Sequence, residues 1–293
     1  MAQSKKGAVL ITGTSSGLGR AAALTLDKQG YRVFAGVRTE KDAESLKHDA
    51  SGNLTPIILD ITKAEQIQSA LDFVSLATDD EGLFALVNNA VAVVHGPLEC
   101  VPIEDVRWLF EVNVTGYIAV TQAFLPLLRK AKGRIINISA VGGRVATPYF
   151  GHLSASKFAL ESLTDCWRME LRSSQIEVLS ILAGSFNTEV HEKVEASYQK
   201  TLANMSPEAK AIYGKNQRIH KELTVEGNRN GMPSEKVVEA ILEALEARKP
   251  KRQYFVTPSK WETRLLFLYK RLFSHEHFYE KFYGLLQKNM GWD

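Results

Sequence analysis

The sequence predicts a doubly wound α/β fold, a parallel sheet with helices on both faces and a helical C-terminal lid. Three observations predict it. Strand-length apolar runs alternate with helical patterns over the first two thirds of the chain. The strands are nearly continuous in apolar residues, as in Ile135-Ile136-Asn137-Ile138 and Val178–Leu182. A glycine-rich turn from Gly13 to Gly19 sits at the first strand–helix junction. Alternation at this spacing implies right-handed crossovers, and strands covered on both faces lose their polar alternation.

Taken in order, Ala8–Thr12 is the first strand, ended by the glycine turn, and Arg20–Gln29 has helical spacing stopped by Gly30. Arg32–Val37, Thr55–Leu59 and Leu83–Val87 are the next strands, the last entered through Asp79-Asp80-Glu81-Gly82. Val106–Arg129 reads as one long helix, Arg134–Ile138 as strand five, Ser154–Ser173 as a helix and Glu177–Leu182 as strand six. Residues 189–230 are polar and helical in composition, as expected of an insertion over a cleft. Val237–Arg248 is an amphipathic helix and Gln253–Val256 a short last strand.

The 293 residues, 45% of them hydrophobic, suffice for one large α/β domain, and no Pro/Ser/Gly-rich linker divides them. The expected organisation is a single domain over 1–293, with a core at 6–190, a substrate lid at 189–230 and an amphipathic tail at 257–293. A net charge of +3 without a basic block argues against nucleic acid as partner. Cys100 and Cys166 alone make neither a disulfide framework nor a zinc site, so no metal is expected. Met1 to Gly7 lacks a secretory h-region, and no apolar run approaches the ~20 residues of a membrane span. A reducing, cytoplasmic, soluble setting is the expectation.

Gly13, Ser15, Ser16, Gly17, Leu18 and Gly19 form a turn whose backbone N–H groups can approach a pyrophosphate at a helix N-terminus. The turn's place at the first junction of a βαβ unit is the context this reading requires. With its TGxxxGxG spacing, the segment over residues 6–190 resembles the short-chain dehydrogenase/reductase family and its Rossmann fold. Further positions match in order: Asp60-Ile61 after strand three, Asn88-Asn89-Ala90 after strand four, Asn113, Ser139, Lys157 and Thr188. Val33–Arg38 and Gly184–Thr188 look like the steroid, retinol and hydroxybutyrate dehydrogenase subgroup. The resemblance implies that Asp60 and Ile61 cap the adenine, that Asn88 and Ala90 touch the cofactor, that Lys157 reaches the nicotinamide ribose and that Thr188 meets the carboxamide. At the end of strand two an NAD site would carry Asp or Glu, whereas this chain has Gly36-Val37-Arg38. A guanidinium there can pair with a 2′-phosphate, with Ser15 or Ser16 adding a hydrogen bond, so NADP(H) is expected over NAD(H).

The resemblance also implies a catalytic set of Asn for a water relay, Ser to fix the substrate oxygen, and a Tyr four residues before a Lys as acid/base. Asn113, Ser139 and Lys157 are present, but the Tyr position reads Leu153. His152 and Tyr149 are the nearby candidates to replace it, set against a bland reading in which both line the pocket rim. Val91 replaces the glycine of NNAG and Ala183 the proline before Gly184. The tail carries Trp261, Phe267, Tyr269, Phe273, Phe278, Tyr279, Phe282, Tyr283 and Trp292 among lysines and arginines. It reads either as a flap over the substrate cleft or subunit neighbour, which is preferred, or as a segment in peripheral contact with a membrane.

Two functions remain open at this level. One is an NADP-dependent oxidoreductase interconverting alcohol and carbonyl on a small lipophilic substrate, steroid- or retinoid-like, with impaired or rewired acid/base catalysis. The other is a catalytically inactive NADP(H)-binding sensor or scaffold. The resemblance further implies a homodimer or homotetramer built through the helices at 106–129 and 154–173.

Overall fold

The structure is a computed structural model that describes residues 6–291; Met1–Lys5, Trp292 and Asp293 lie outside the described residues, Trp292 of the aromatic tail among them. Seven parallel strands form one sheet: β1 Lys6–Ile11, β2 Tyr31–Val37, β3 Leu54–Ile58, β4 Ala85–Asn88, β5 Arg134–Ala140, β6 Glu177–Ala183 and β7 Gln253–Val256. Their order is β3-β2-β1-β4-β5-β6-β7. The chain winds outward first to one side of β1 and then to the other, so a crevice opens where β1 and β4 end side by side.

Each strand is apolar because both its faces are covered. On β1, Val9 and Ile11 enter a core shared with Ala22, Ala23 and Leu26 of α1 (Gly17–Lys28). Ala8 and Leu10 enter the opposite core. The first core also takes Leu46 of α2 (Glu40–Asp49). The second takes Ile67, Ala70 and Val74 of α3 (Ala64–Thr78). The sequence reading assigned neither α2 nor α3. A single buried leucine gives α2 almost no periodicity, although Thr39 accepts from the Asp42 N–H as its N-cap.

The helix expected over 106–129 is a composite. It runs as α4 (Ile103–Phe110), a π-helical segment Glu111–Thr115, and α5 (Gly116–Ala131). The extra residue of a π turn re-aims side chains, and Asn113 lies fully buried within it. Helix α6 (Gly151–Glu170) starts one turn before its expected beginning, which places His152 and Leu153 inside it. The insertion forms two packed helices, α7 (Val190–Asn204) and α8 (Pro207–Arg229). Helix α9 (Glu235–Glu246) packs on α1, burying Val237, Ile241 and Leu245 in the first core. The tail folds as α10 (Lys260–Leu272) and α11 (His275–Met290).

Candidate active site

Hydrogen bonds tie the glycine turn to the ends of the neighbouring strands. The Thr12 hydroxyl accepts from the N–H groups of Asn89 (3.0 Å) and Ala90 (3.1 Å), while Asn89 Nδ2 donates to the carbonyls of Thr12 and Gly13, both at 2.9 Å. Thr14 holds the Gly36 carbonyl at the end of β2 through both its N–H and its hydroxyl. Gly13 has φ +69, and a side chain there would meet the Ala90 Cα at 2.6 Å. A Cβ on Gly19 would fall 2.2 Å from the Gly13 carbonyl oxygen. The turn is therefore closed to any residue with a side chain at these two points.

Above it lies a cavity of about 160 Å³ bordered by Gly13, Ser15, Ser16, Gly17, Leu18, Gly19, Arg38, Asp60, Ile61, Ala90 and Thr188. Of the residues expected to hold a cofactor, only Asn88 borders neither this cavity nor the one beside it. Asn88 is fully buried, and its Nδ2 donates to Thr121 Oγ1 and Asn137 Oδ1 in the core. Its neighbour Asn89 takes the place on the cleft, because adjacent residues at a strand end point to opposite sides. Ser16 is the N-cap of α1, yet its side chain makes no capping bond. Asp60 Oδ1 accepts from the N–H and hydroxyl of Thr62, which fixes the carboxylate at the rim.

Sequence reasoning missed Lys193 and Glu189, which also border this cavity. Burial, and next the Arg38 guanidinium, pull the Lys193 ammonium below its ordinary pKa, while Glu189 opposes the shift. Two cations thus converge on the end of the cleft beside β2. Lys193 is 155 residues beyond Arg38, so no local pattern announces the pair.

A second cavity of about 400 Å³ adjoins the first, and Leu18, Asn89, Val91, Thr188 and Val190 border both. Its wall is mostly apolar, with Val93, Val145, Phe150, Leu153, Phe186 and Val194 among its residues. Ser139, at the end of β5, borders it with a buried hydroxyl oxygen that has no hydrogen-bond partner among the described residues. Lys157 also borders it, and its Nζ donates to the Ile138 carbonyl at 2.9 Å and lies 5.6 Å over the Tyr117 ring. Burial drives the lysine's pKa down to about 8, with Glu161 acting in the other direction. Among the described residues, Lys157 is the one titratable side chain in this wall. Val91 borders both cavities and is not among the positive-φ residues, so its side chain is carried there without backbone strain.

The remaining candidates lie off the wall. Asn113 Oδ1 accepts from the Ala92 N–H, and its Nδ2 donates to the Ala92 carbonyl and to Ser156 Oγ. It clamps the loop after β4 to α6. His152 is half-buried in the first turn of α6, where burial lowers its pKa. Tyr149 sits at φ 62, its ring 5.4 Å from that of His220 and 6.2 Å from that of His95. Burial pushes its phenol up to about 12, the wrong direction for a proton donor at neutral pH. The two histidines are themselves hydrogen-bonded, His95 Nε2 to His220 Nδ1 at 3.0 Å. Burial pulls them to about 3 and about 4, so both rings are neutral.

Helices α10 and α11 cover the second cavity. Leu266 and Phe282 complete its wall, Phe278 is buried, and the Tyr279 hydroxyl accepts from the Ala146 N–H at 3.2 Å. The opposite side of the hairpin exposes Trp261, Leu265, Leu268, Leu272 and Phe273. Among the described residues no helix is long and apolar enough to cross a membrane, and no cluster of His, Cys, Asp or Glu is placed to hold a metal ion.

The family model for short chain dehydrogenases matches residues 7–199. The chain belongs to the short-chain dehydrogenase/reductase family. It is 38% identical over 267 residues to human retinol dehydrogenase 5, covering 89% of this chain and 82% of that one. It is 43% identical over 182 residues to bovine 17-beta-hydroxysteroid dehydrogenase type 6, covering 61% and 57%. Among solved structures, a short chain dehydrogenase from Burkholderia cenocepacia in complex with NADP matches with a TM-score of 0.69 at 27% identity, over 92% of this chain and 94% of the other. In this member of the family, the residue one helical turn before Lys157 is Leu153, which packs beside Ala92, Val94, Val101 and Leu109 and offers no proton.

Proposed function

We propose that this chain is an NADP(H)-dependent oxidoreductase that interconverts alcohol and carbonyl groups on a lipophilic, retinoid- or steroid-sized substrate. The observation that carries the reading is the junction of the two cavities at Thr188, with the unpartnered Ser139 hydroxyl and Lys157 in the wall beyond it. The glycine turn suits a pyrophosphate, and Arg38 with Lys193 suits a 2′-phosphate. The apolar wall and the names of the curated relatives support the substrate class.

A bound nicotinamide dinucleotide supplies or accepts the hydride. Ser139 donates its hydrogen bond to the substrate oxygen, and the apolar wall with the α10–α11 cover keeps water from the reacting carbon. Lys157 delivers the proton to that oxygen during reduction and takes it back during oxidation, directly or through one water. An amine of pKa about 8 exchanges protons readily near neutrality. His152 and Tyr149 are set aside because neither borders the cavity. A second reading, a cofactor-binding protein without turnover, draws support from the same wall, which offers no titratable group beside Lys157.

Single-turnover oxidation of NADPH by long-chain aldehydes and steroid ketones separates the two. The oxidoreductase reading expects a slow burst of NADPH consumption with equimolar alcohol formed; saturable NADPH binding with no alcohol favours the second. The cofactor preference is tested in the same titrations. A charge-assisted hydrogen bond contributes about 1.5–3 kcal/mol, so Arg38→Ala should weaken NADPH roughly 10- to 100-fold and leave NADH nearly unchanged. Equal losses for both cofactors would remove the 2′-phosphate from the account.

A further inference from the structure

Glu161 is a buried acid that the reaction above does not use. It is 5% exposed, one helical turn beyond Lys157 on the same face of α6. Its Oε2 accepts from Gln253 Nε2 on β7 (2.8 Å), from Arg144 after β5 (3.0 Å) and from Ser180 Oγ on β6 (3.4 Å). Its Oε1 is buried with no hydrogen-bond partner among the described residues. The Arg144 guanidinium pairs with one oxygen of this carboxylate from the more exposed side, while the buried Oε1 keeps its field inside the protein.

Lys157 is a second, more deeply buried cation on the same helix within reach of that field. Its ammonium is buried and, among the described residues, makes a single hydrogen bond, to the Ile138 carbonyl. From α5 it faces the Tyr117 ring, whose hydroxyl is committed to the Ala90 carbonyl. From β5 it faces Ile138 and Ser139, and the Gly143 turn presses so closely that a Cβ there would meet the Lys157 carbonyl oxygen at 2.9 Å. Glu161 is the acid whose field reaches it. Arg144, more exposed, pairs with the same carboxylate at 3.0 Å.

We infer that Glu161 is a positioning residue that keeps Lys157 charged inside the cavity wall, so that its proton is at hand for the substrate oxygen. The inference rests on Lys157 being the proton donor of the proposed reaction. Without the carboxylate, desolvation alone would govern the lysine, and its proton would be lost at lower pH. Arg144 is correspondingly a tuning residue: without its guanidinium, Glu161 would act on Lys157 unopposed.

The test is a titration of the Lys157 side chain by NMR in protein carrying 13Cε-labelled lysine, the resonance assigned by its absence from Lys157→Met. Glu161→Gln keeps the size of the side chain and should lower the midpoint by about one pH unit. Glu161→Asp should recover most of that shift. Arg144→Gln should move the midpoint the opposite way, which keeps the inference testable should Glu161→Gln fail to fold. Where substrate turns over, the alkaline limb of the single-turnover reduction profile should move with the NMR midpoint. An unchanged Lys157 titration in Glu161→Gln, or a fall in Arg144→Gln, overturns the inference. Because the titration needs no substrate, a protein inert to every carbonyl but showing the shifts would sink the reductase reading alone.

Discussion

Replacing Leu153 by tyrosine is expected to raise single-turnover carbonyl reduction by NADPH roughly 10²- to 10⁴-fold, the range a positioned general acid contributes. Leu153 lies four residues before Lys157 on α6 and borders the second cavity, so Leu153→Tyr places a phenol one turn from the ammonium. The lysine's positive charge would lower the phenol's pKa, whereas Tyr149, half-buried beside two neutral histidines, is pushed up to about 12. Leu153 packs at the edge of a small cluster of Ala92, Val94, Val101 and Leu109 rather than deep within a main core, so a larger ring can be accommodated toward the cavity. Stopped-flow NADPH oxidation with a long-chain aldehyde reads the effect. An unchanged rate at unchanged NADPH affinity would show that proton supply does not limit this protein.

Lys157→Met is expected to abolish that turnover and to stabilise the fold at pH 7. The lysine's pKa falls from its ordinary 10.5 to about 8 in the folded chain, so holding it charged there costs on the order of 3 kcal/mol below pH 8. Losing the hydrogen bond to the Ile138 carbonyl returns roughly 1–2 kcal/mol of that. A net gain of about 1–2 kcal/mol is left, visible as a Tm rise of a few degrees. Between about pH 8 and 10.5 the unfolded lysine binds more protons than the folded one, so the native protein gains stability as pH rises through that window. The advantage of the methionine variant should therefore be largest below pH 8 and gone by pH 10.5. Denaturant unfolding of both proteins at pH 7, 9 and 10.5 checks it; a methionine variant less stable at pH 7, or a difference constant with pH, contradicts the buried-ammonium account.

Much of this architecture is legible in the sequence because the signals are local. The runs in β5 and β6 are apolar since both faces are covered, and the glycine turn is marked by positions where no side chain fits. What escaped depends on direction or distance. Asn88 and Asn89 are adjacent, and only the end of β4 decides that the first turns into the core and the second onto the cleft. The π-helical segment around Asn113 leaves no trace in a 3.6-residue pattern, so α4 and α5 read as one helix. His95 and His220 are 125 residues apart, and Arg38 and Lys193 border one cavity from distant parts of the chain; neither pair has a spacing to betray it. Glu161 could have been found, since the i, i+4 step from Lys157 is visible in sequence, but its burial could not.

The proposed reaction requires that a phosphorylated nicotinamide dinucleotide lie on the turn from Gly13 to Gly19. An isothermal titration of the native protein and of Gly19→Ala with NADPH tests it most directly. One-to-one binding is predicted for the native chain, and none for the variant, whose added methyl would collide with the Gly13 carbonyl at 2.2 Å and displace the cradle. A native protein that releases no heat with NADPH, or a variant that is folded and binds as tightly as the native chain, would contradict the account.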